Sequence, residues 1–215
     1  MELVSVNVGL PREVEWHGRK VRTSIWKSPQ PGRVRVERLD LEGDRQSDLS
    51  VHGGPEKAVY AYPSEHYAYW RKELATEDLP WGAFGENFTT AGLLEREVKI
   101  GDRLRIGSAE FVVTQPRMPC YKLAVRFGRD DMVRRFLASG RSGFYLAVLS
   151  EGEVGQGDAI AFASRDTHDV TVADIAALYA GDADNQGLLR RAVELPALPE
   201  SWREYLRQRL WEPDA

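Results

Sequence analysis

Short runs of alternating apolar and polar residues fill the first three quarters of the chain and limit the folds that it can adopt. They include LVSVNVG near the N-terminus, RVRVERLDLEG from Arg33 and KAVYAY from Lys57, with glycine or aspartate between most of them. Alternation with a period of two predicts strands that bury one face. The residues expected in the core from the second run are Val34, Val36, Leu39 and Leu41. Many short strands with tight turns favour a closed or nearly closed β-barrel over alternating strands and helices.

Two helices are expected to interrupt these strands. The first begins at Pro63, because proline suits the first position of a helix, and continues through SEHYAYWRKEL. The second covers DDMVRRFLASG and ends at Gly140. After it, the segment GFYLAVLSEGEVGQGDAIAFA predicts two strands joined by a tight turn at 155–158.

The pattern changes after Phe162, where the polar segment SRDTHDV is typical of a linker. Three helices are predicted beyond it: TVADIAALYA, with Thr171 and Asp174 spaced as a capping box, then NQGLLRRAVEL, and then a helix that starts at Pro199. An apolar stripe along the last helix contains Trp202, Leu206 and Leu210. The predicted fold class is therefore mainly β: a barrel domain with inserted helices at 1–164, followed by a small three-helix domain at 165–215. Helices this short need the barrel or a second subunit to pack against.

Charge and cysteine content exclude several classes of function. The 215 residues carry a formal charge of −4, which offers no general basic field for nucleic acid. No apolar run is long enough to span a bilayer, and the N-terminus lacks the pattern of a signal peptide. A single cysteine cannot form an internal disulfide. We therefore expect a reduced, cytoplasmic protein with neither a membrane nor a nucleic acid as partner.

The single cysteine, Cys120, lies in PRMPCYKLAVR and has Arg117, Lys122 and Arg126 around it. Residues 111–129 contain no acidic side chain, although the protein as a whole is acidic. Nearby cations favour the thiolate, which is the form that attacks electrophiles and binds metals. If the segment is extended, Cys120 and Lys122 point to the same face. The residues alone leave four roles open: a nucleophile, a sulfur carrier, a soft-metal ligand or a buried structural cysteine.

Two polar loops contain further candidates. In GDRQSDLSVHGGPEK, small and polar residues crowd together: Asp44, Gln46, Asp48, His52, Gly53, Gly54 and Lys57. Paired glycines let backbone amides approach an anion and lysine adds positive charge, although the spacing is not that of a Walker loop. The second loop, GAFGENFTTAGL, offers amide and hydroxyl groups that suit a polar heterocycle. For each loop, a plain turn on the surface is the alternative.

Three of these segments, HGGPEKAVYAYPSEHYAYW, GENFTTAGL and QPRMPCYKL, occur in an order that resembles the MOSC domain family, named for the C-terminal domain of molybdenum-cofactor sulfurases. The likeness is greatest to stand-alone bacterial members of the 6-N-hydroxylaminopurine reductase type. The tail from about Thr167 to Leu210 is similar to the three-helix domain that follows in that subgroup, so the resemblance covers nearly the whole chain. It implies a β-rich barrel that binds the molybdenum cofactor (Mo-molybdopterin) and no pyridoxal phosphate.

The resemblance also implies roles for individual residues. The motif cysteine of the family falls on Cys120, which is then the molybdenum ligand and the catalytic residue. Groups implied to hold the phosphate or dithiolene region are Lys57, Arg117, Lys122 and the amides of Gly53 and Gly54. Candidates for the pterin edge or the substrate pocket are His52, Glu86, Asn87 and Thr89, with Gly85 allowing close backbone approach. Three polar residues, Asp44, Gln46 and Asp48, are expected to shape their loop by bonding to the backbone.

The activity implied by the resemblance is reduction of small N-hydroxylated bases or hydroxylamines to amines. No flavin or dinucleotide fingerprint is visible in the sequence, so the electron donor is expected to be a separate flavoprotein reductase. The alternative is a non-catalytic module in which Cys120 carries a persulfide or the pocket stores the cofactor. The C-terminal helices are expected to cover the site, dock the redox partner or form a homodimer.

Overall fold

The computed structural model describes residues 1–46, 54–181 and 185–210. Within these ranges the strands are β1 (Glu2–Val8), β2 (Arg12–Trp16), β3 (Arg19–Thr23), β4 (Ser28–Pro29), β5 (Arg33–Val36), β6 (Val59–Pro63), β7 (Phe88–Ala91), β8 (Arg103–Ile106), β9 (Ala109–Pro116), β10 (Phe144–Ser150), β11 (Gly152–Gly155) and β12 (Ile160–Ser164). The helices are α1 (His66–Leu74), α2 (Tyr121–Phe127), α3 (Met132–Ser139), α4 (Val172–Ala180), α5 (Gln186–Val193) and α6 (Glu200–Arg207), and a 3₁₀ turn covers Pro55–Lys57. The fold is thus mainly sheet with three helices at the C-terminus, as the sequence predicts.

Eight strands form one sheet in the order β12-β8-β9-β10-β6-β7-β1-β4. Its named pairs are antiparallel except β6 and β7, which run parallel because the chain crosses over through α1 between them. Two further pairs, β5 with β11 and β2 with β3, lie outside this sheet. The parallel pair sets Tyr62 opposite Thr89, which brings the two polar loops of the sequence motifs to neighbouring strand ends.

A closed barrel is not found in the described part of the chain, which corrects that expectation. The ladder ends at β12 on one side and at β4 on the other. The sheet nevertheless curls back on itself, because Leu3 N–H donates to the Asp158 carbonyl at 2.9 Å and Gly157 N–H donates to the Leu3 carbonyl at 2.8 Å. A single bridge between Glu2 and Ala159 adds to these contacts. Contact between β1 and the turn before β12 therefore replaces a continuous ladder.

Four local predictions require correction. Pro63 ends β6 and pairs with Thr90, so the first inserted helix begins three residues later. The chain turns after Val36, where Glu37 N–H donates to the Asp40 carbonyl, and Leu39 is therefore 52% exposed. The segment after α3 forms three strands, since β11 leaves the large sheet to pair with β5. A helix begins directly after the cysteine, so the expected extended segment is wrong beyond that residue.

Other local predictions are confirmed. Val34, Val36 and Leu41 are buried, and Gly140 ends α3 in the left-handed conformation. Thr171 and Asp174 form the predicted capping box at the start of α4. In residues 1–46, 54–181 and 185–210, the longest helices have nine residues, so none is long and apolar enough to cross a bilayer.

Two hydrophobic cores support the molecule. The main core lies between the large sheet and the C-terminal helices and includes Phe111, Phe144 and Ile175. The second, which we call the aromatic core, packs α1, α2 and α3 together around Tyr60, Tyr62, Tyr67, Trp70, Phe84 and Phe136. Its polar groups are paired within it, for example where Trp70 Nε1 donates to Tyr62 Oη at 2.7 Å. The aromatic core matters for function because Tyr60 and Phe84 also border a cleft.

Candidate functional site

The cleft beside the aromatic core encloses about 610 Å³, part of it open to solvent. Its wall is assembled from the β3–β4 connection, the loop after β5, the 3₁₀ turn and β6, the loop before β7, the segment after β9, the start of α2 and the start of β10. The lining residues are Thr23, Ser24, Ile25, Lys27, Asp44, Arg45, Gln46, Lys57, Tyr60, Phe84, Gly85, Asn87, Arg117, Cys120, Lys122 and Tyr145.

The described wall of the cleft is strongly cationic although the chain is acidic. It contains five basic side chains, Lys27, Arg45, Lys57, Arg117 and Lys122, and one carboxylate, that of Asp44. Three of these side chains are largely buried, since Arg117 is 6% exposed, Lys122 is 7% exposed and the side chain of Lys27 is 9% exposed. Burying several like charges beside one cavity is costly without an anion to balance them. The cleft therefore has the electrostatics of an anion site.

The thiol of Cys120 is half-buried and borders the cleft. Cys120 is the residue before helix α2; its backbone is extended, and its carbonyl accepts from Leu123 N–H at 2.9 Å. The strand β9 and the two prolines at 116 and 119 lead the chain to this point, which restricts the backbone before the helix. The sulfur is thus presented to the cavity on a fixed segment, as a metal ligand requires.

Arg117 lies against aromatic rings at the back of the cleft. Its guanidinium carbon is 5.5 Å from the centre of the Tyr60 ring and 5.4 Å from that of Phe136. Burial lowers the pKa of Arg117, but electrostatic interactions with Tyr60, Tyr145 and Cys120 act in the opposite direction, and the pKa is raised overall. Arg117 therefore stays charged, and the same proximity places its guanidinium in the electrostatic field of the cysteine sulfur.

Three buried polar atoms of the cleft wall have no hydrogen-bond partner among the described residues. They are Ser24 Oγ, Gln46 Oε1 and Arg117 Nη1. A hydroxyl, an amide oxygen and a guanidinium nitrogen together offer both donors and acceptors to a bound molecule. Buried polar atoms are normally paired, so this set indicates a place that a polar ligand completes.

A hydrogen-bond network fixes one side of the wall. Asp44 accepts from Lys27 Nζ at 2.5 Å on both oxygens, from Gly9 N–H at 2.9 Å and from Asn87 Nδ2 at 2.8 Å. Asn87 in turn accepts from Tyr60 N–H through its side-chain oxygen at 3.1 Å. The loop after β5, the β3–β4 connection and the start of β7 are thereby joined at one carboxylate.

Five residues predicted for the site meet in this cleft: Lys57, Asn87, Arg117, Cys120 and Lys122. Asp44 and Gln46 also line the cleft, and both bond to backbone as expected. Asp44 accepts from Gly9 N–H, and Gln46 Nε2 donates to the Lys57 carbonyl at 3.1 Å. The backbone of Gly85 borders the cleft as well. The positions of His52, Gly53 and Asp48 lie outside the described residues.

Other predicted residues lie behind the wall. Gly54 is not among the lining residues, and its carbonyl accepts from Lys57 N–H at 3.0 Å to start the 3₁₀ turn. Glu86 is fully buried, and its carboxylate accepts from the amides of Gly82 and Phe84 and from the hydroxyl of Tyr67. Burial raises the pKa of Glu86, against the effect of these donors. Thus Glu86 shapes the loop that carries Gly85 and Asn87.

Thr89 and Arg126 also differ from their expected places. Thr89 is buried and donates to Glu86 at 3.1 Å, behind the wall rather than in it. Arg126 does not line the cleft; its guanidinium lies 5.8 Å from the ring centre of Trp26 and borders a separate surface hollow. Arg126 lies one turn of α2 beyond Lys122 and is therefore further along the helix from Cys120.

Sequence reasoning missed the contribution of the β3–β4 connection. Ser24, Ile25 and Lys27 line the cleft, as does Tyr145 from β10. A lysine between an apolar pair and a Ser-Pro turn, in TSIWKSP, was the available signal. It is weak, because a lysine near a turn is ordinarily on the surface.

The fold and the site together define the class of protein. Residues 48–161 match the MOSC domain, and residues 170–211 match the YiiM-like 3-alpha helix domain. The chain belongs to the MOSC domain family, in the subgroup that carries this helical domain.

Individual relatives agree with this assignment. The chain is 43% identical to YflK of Bacillus subtilis, over 94% of this chain and 90% of that protein. The crystal structure of YiiM from Geobacillus stearothermophilus superposes with a TM-score of 0.81 at 35% identity, covering 98% of this chain and 99% of the other. A protein of Gibberella moniliformis named reductase is 32% identical over 83% of this chain, but this match spans only 32% of that longer protein.

Proposed function

We propose that this chain is a molybdenum-cofactor-dependent reductase that converts N-hydroxylated bases or hydroxylamines to amines. One observation carries the proposal: a half-buried thiol shares its cleft with five cations and with three buried polar atoms that lack partners among the described residues. Membership of the MOSC family and the reductase name of one relative support the same type of chemistry.

The residues of the cleft fit such a group. Cys120 offers a thiolate to the metal through Sγ, since sulfur ligands suit soft centres. Lys57, Arg117 and Lys122 offer positive charge to the phosphate of an anionic pterin, with arginine able to form paired hydrogen bonds. When bound, the cofactor supplies the two-electron redox chemistry, while the protein supplies binding, orientation and electrostatics.

The electrons are proposed to come from a separate flavoprotein reductase. The sequence carries no glycine-rich dinucleotide fingerprint, which supports an external source. The substrate is proposed to be small, because one cleft must hold both the cofactor and the substrate.

Replacement of the cysteine tests the proposal. The chain and its Cys120→Ala and Cys120→Ser variants are purified from a host that makes the cofactor, and molybdenum and pterin are measured separately. We expect both variants to lose molybdenum and turnover, while the cationic wall retains part of the pterin. Tyr121→Ala is the matched control, because Tyr121 is the next residue, is 54% exposed and is not part of the cleft wall.

Two outcomes contradict the proposal. Full molybdenum occupancy and turnover in Cys120→Ala would show that the thiol is not the ligand. A parent protein that lacks molybdenum, but carries a persulfide on Cys120 by mass spectrometry, would instead establish a sulfur carrier.

A further inference from the structure

The cleft wall contains one buried ion pair, between Lys27 and Asp44, to which the function proposed above gives no role. The side chains of Lys27 and Asp44 are 9% and 2% exposed, and Lys27 Nζ lies 2.5 Å from both carboxylate oxygens. Both residues line the cleft. The ammonium group therefore lies at the inner surface of the cavity, close to water only through the cleft itself.

The carboxylate of this pair is held in place by hydrogen-bond donors. Besides Lys27, Asp44 accepts from the amide of Gly9 and from the side chain of Asn87. Asp44 is therefore fixed on several sides, and it orients the ammonium group of Lys27.

Lys27 is, by contrast, a group that can give up a proton. Burial lowers the pKa of Lys27, and it outweighs the opposite effects of Asp44, Glu86 and Asp40. The other basic residues of the cleft wall are Arg45, Lys57, Arg117 and Lys122. A buried ion pair adds little to the stability of a fold compared with apolar packing, so the pair needs a reason beyond structure.

We propose that Lys27 is the general acid of the reduction, delivering the proton of Nζ to the hydroxyl oxygen as the N–O bond of the substrate breaks. This inference depends on the function proposed above. In the balanced step, R–NH–OH takes up two electrons and two protons and gives R–NH₂ and water. One proton comes from Lys27 and the other comes from solvent. The electron pair comes from the cofactor, which the flavoprotein donor has reduced beforehand. Lys27 becomes a neutral amine and regains its proton through the open mouth of the cleft.

The chemistry of the neighbouring cations favours Lys27 for this role. Arginine keeps its proton throughout the ordinary pH range, so Arg45 and Arg117 can stabilise charge but cannot act as acids. Desolvation makes it easier for a lysine to give up its proton, and a fixed orientation aims that proton. Lys27 is desolvated and is oriented by Asp44.

Lys27→Arg separates proton transfer from charge. Arginine preserves the positive charge beside Asp44 but cannot release a proton. We expect turnover to fall by about 100-fold or more, as for loss of a general acid, with molybdenum and pterin content unchanged. Turnover of the parent protein is expected to fall as pH rises through the pKa of Lys27, since only the protonated form donates, and this decline is expected to be absent in the variant. Lys20→Arg is the control, because Lys20 is 81% exposed and lies outside the cleft.

A second readout needs neither cofactor nor turnover. Lysine labelled with ¹³C at Cε is followed by NMR through a pH titration, and the signal of Lys27 is identified by its loss in Lys27→Arg and in Lys27→Gln. We expect this signal to titrate at a lower pH than the signals of exposed lysines such as Lys20. A Lys27 signal that titrates together with the exposed lysines overturns the inference even if one variant fails to fold.

Molybdenum content and turnover of the parent protein distinguish a wrong role for Lys27 from a wrong proposed function. If it contains molybdenum and turns over, and Lys27→Arg keeps its rate and its pH profile, the role of Lys27 is wrong and the proposed function stands. If the parent protein has no molybdenum or no turnover, the proposed function fails and the inference fails with it.

Discussion

Replacing Gly143 by alanine is the sharpest structural test of how the cleft is supported. Gly143 lies at the start of β10, and its φ of +61° is in the left-handed region. A Cβ there would lie 2.5 Å from the carbonyl oxygen of Ala61 and 2.8 Å from ring atoms of both Tyr60 and Tyr62. Gly143 also accepts from Arg117 N–H at 3.2 Å through its carbonyl. Displacing this residue therefore disturbs two residues of the cleft wall, Tyr60 and Arg117.

The cost divides into two contributions that a control separates. Placing alanine at positive φ costs about 1–2 kcal/mol. The contacts under 3 Å add an overpacking cost of about 1–3 kcal/mol, because a backbone oxygen and two buried rings must move. Gly140→Ala carries only the first contribution, since Gly140 has a φ of +65° and no atom of the described residues lies within 4 Å of the point that its Cβ would occupy. The change in unfolded-state entropy is the same for both substitutions.

We therefore expect Gly143→Ala to be destabilised by about 2–5 kcal/mol and Gly140→Ala by about 1–2 kcal/mol. Urea unfolding followed by tryptophan fluorescence gives both values, with the slope of the transition unchanged if only native stability differs. Cofactor content is also expected to fall in Gly143→Ala alone. Equal destabilisation of the two variants would refute the reasoning, because it would show that the contacts around Gly143 carry no cost.

Two further substitutions test how the wall is built. Arg117→Met is expected to leave the cofactor-free protein at least as stable as its parent, because it removes a buried charge whose Nη1 has no partner among the described residues. Cofactor retention is expected to fall about tenfold. Thermal unfolding and pterin content measure these two effects, and a large loss of stability with the cofactor retained would contradict the prediction. Trp202→Phe removes the 2.6 Å hydrogen bond from Trp202 Nε1 to Gln115 Oε1. Both ends of the buried Gln115 amide then lack a partner among the described residues. The expected cost is about 1–3 kcal/mol in the free energy of unfolding, measured in urea. Tyr205→Phe, at a 38% exposed neighbour, is its control, and equal effects of the two changes would disprove the role of this bond.

Local patterns in the sequence predict most elements of this fold but not their arrangement. Alternation identified β1, β5 and β6, the capping box located α4 and Pro199 located α6, because these signals depend only on neighbouring residues. The same rule failed at Leu39, where the alternation continues through a turn. Neither the parallel pairing of β6 with β7 nor the departure of β11 from the sheet has a local signal, since both depend on contacts between distant segments.

The site divides in the same way. Motif residues that follow one another closely, such as Arg117, Cys120 and Lys122, were predicted together and lie together. Glu86 was predicted from the same kind of motif, yet it supports the loop from behind, because a short polar segment does not reveal which side chain faces inward. Lys27 was missed because only the folded chain brings the β3–β4 connection against Asp44, seventeen positions away.

The cationic cleft explains why an acidic chain keeps acidic residues away from its cysteine. A carboxylate at 111–129 would lie next to Arg117 and Lys122 and would compete with an anionic ligand for both. Asp44, the one carboxylate in the described wall of the cleft, could compete with an anionic ligand in the same way. Lys27 reduces this competition, because its ammonium group binds both carboxylate oxygens of Asp44. This pairing leaves the field of Lys57, Arg117 and Lys122 directed at the cavity.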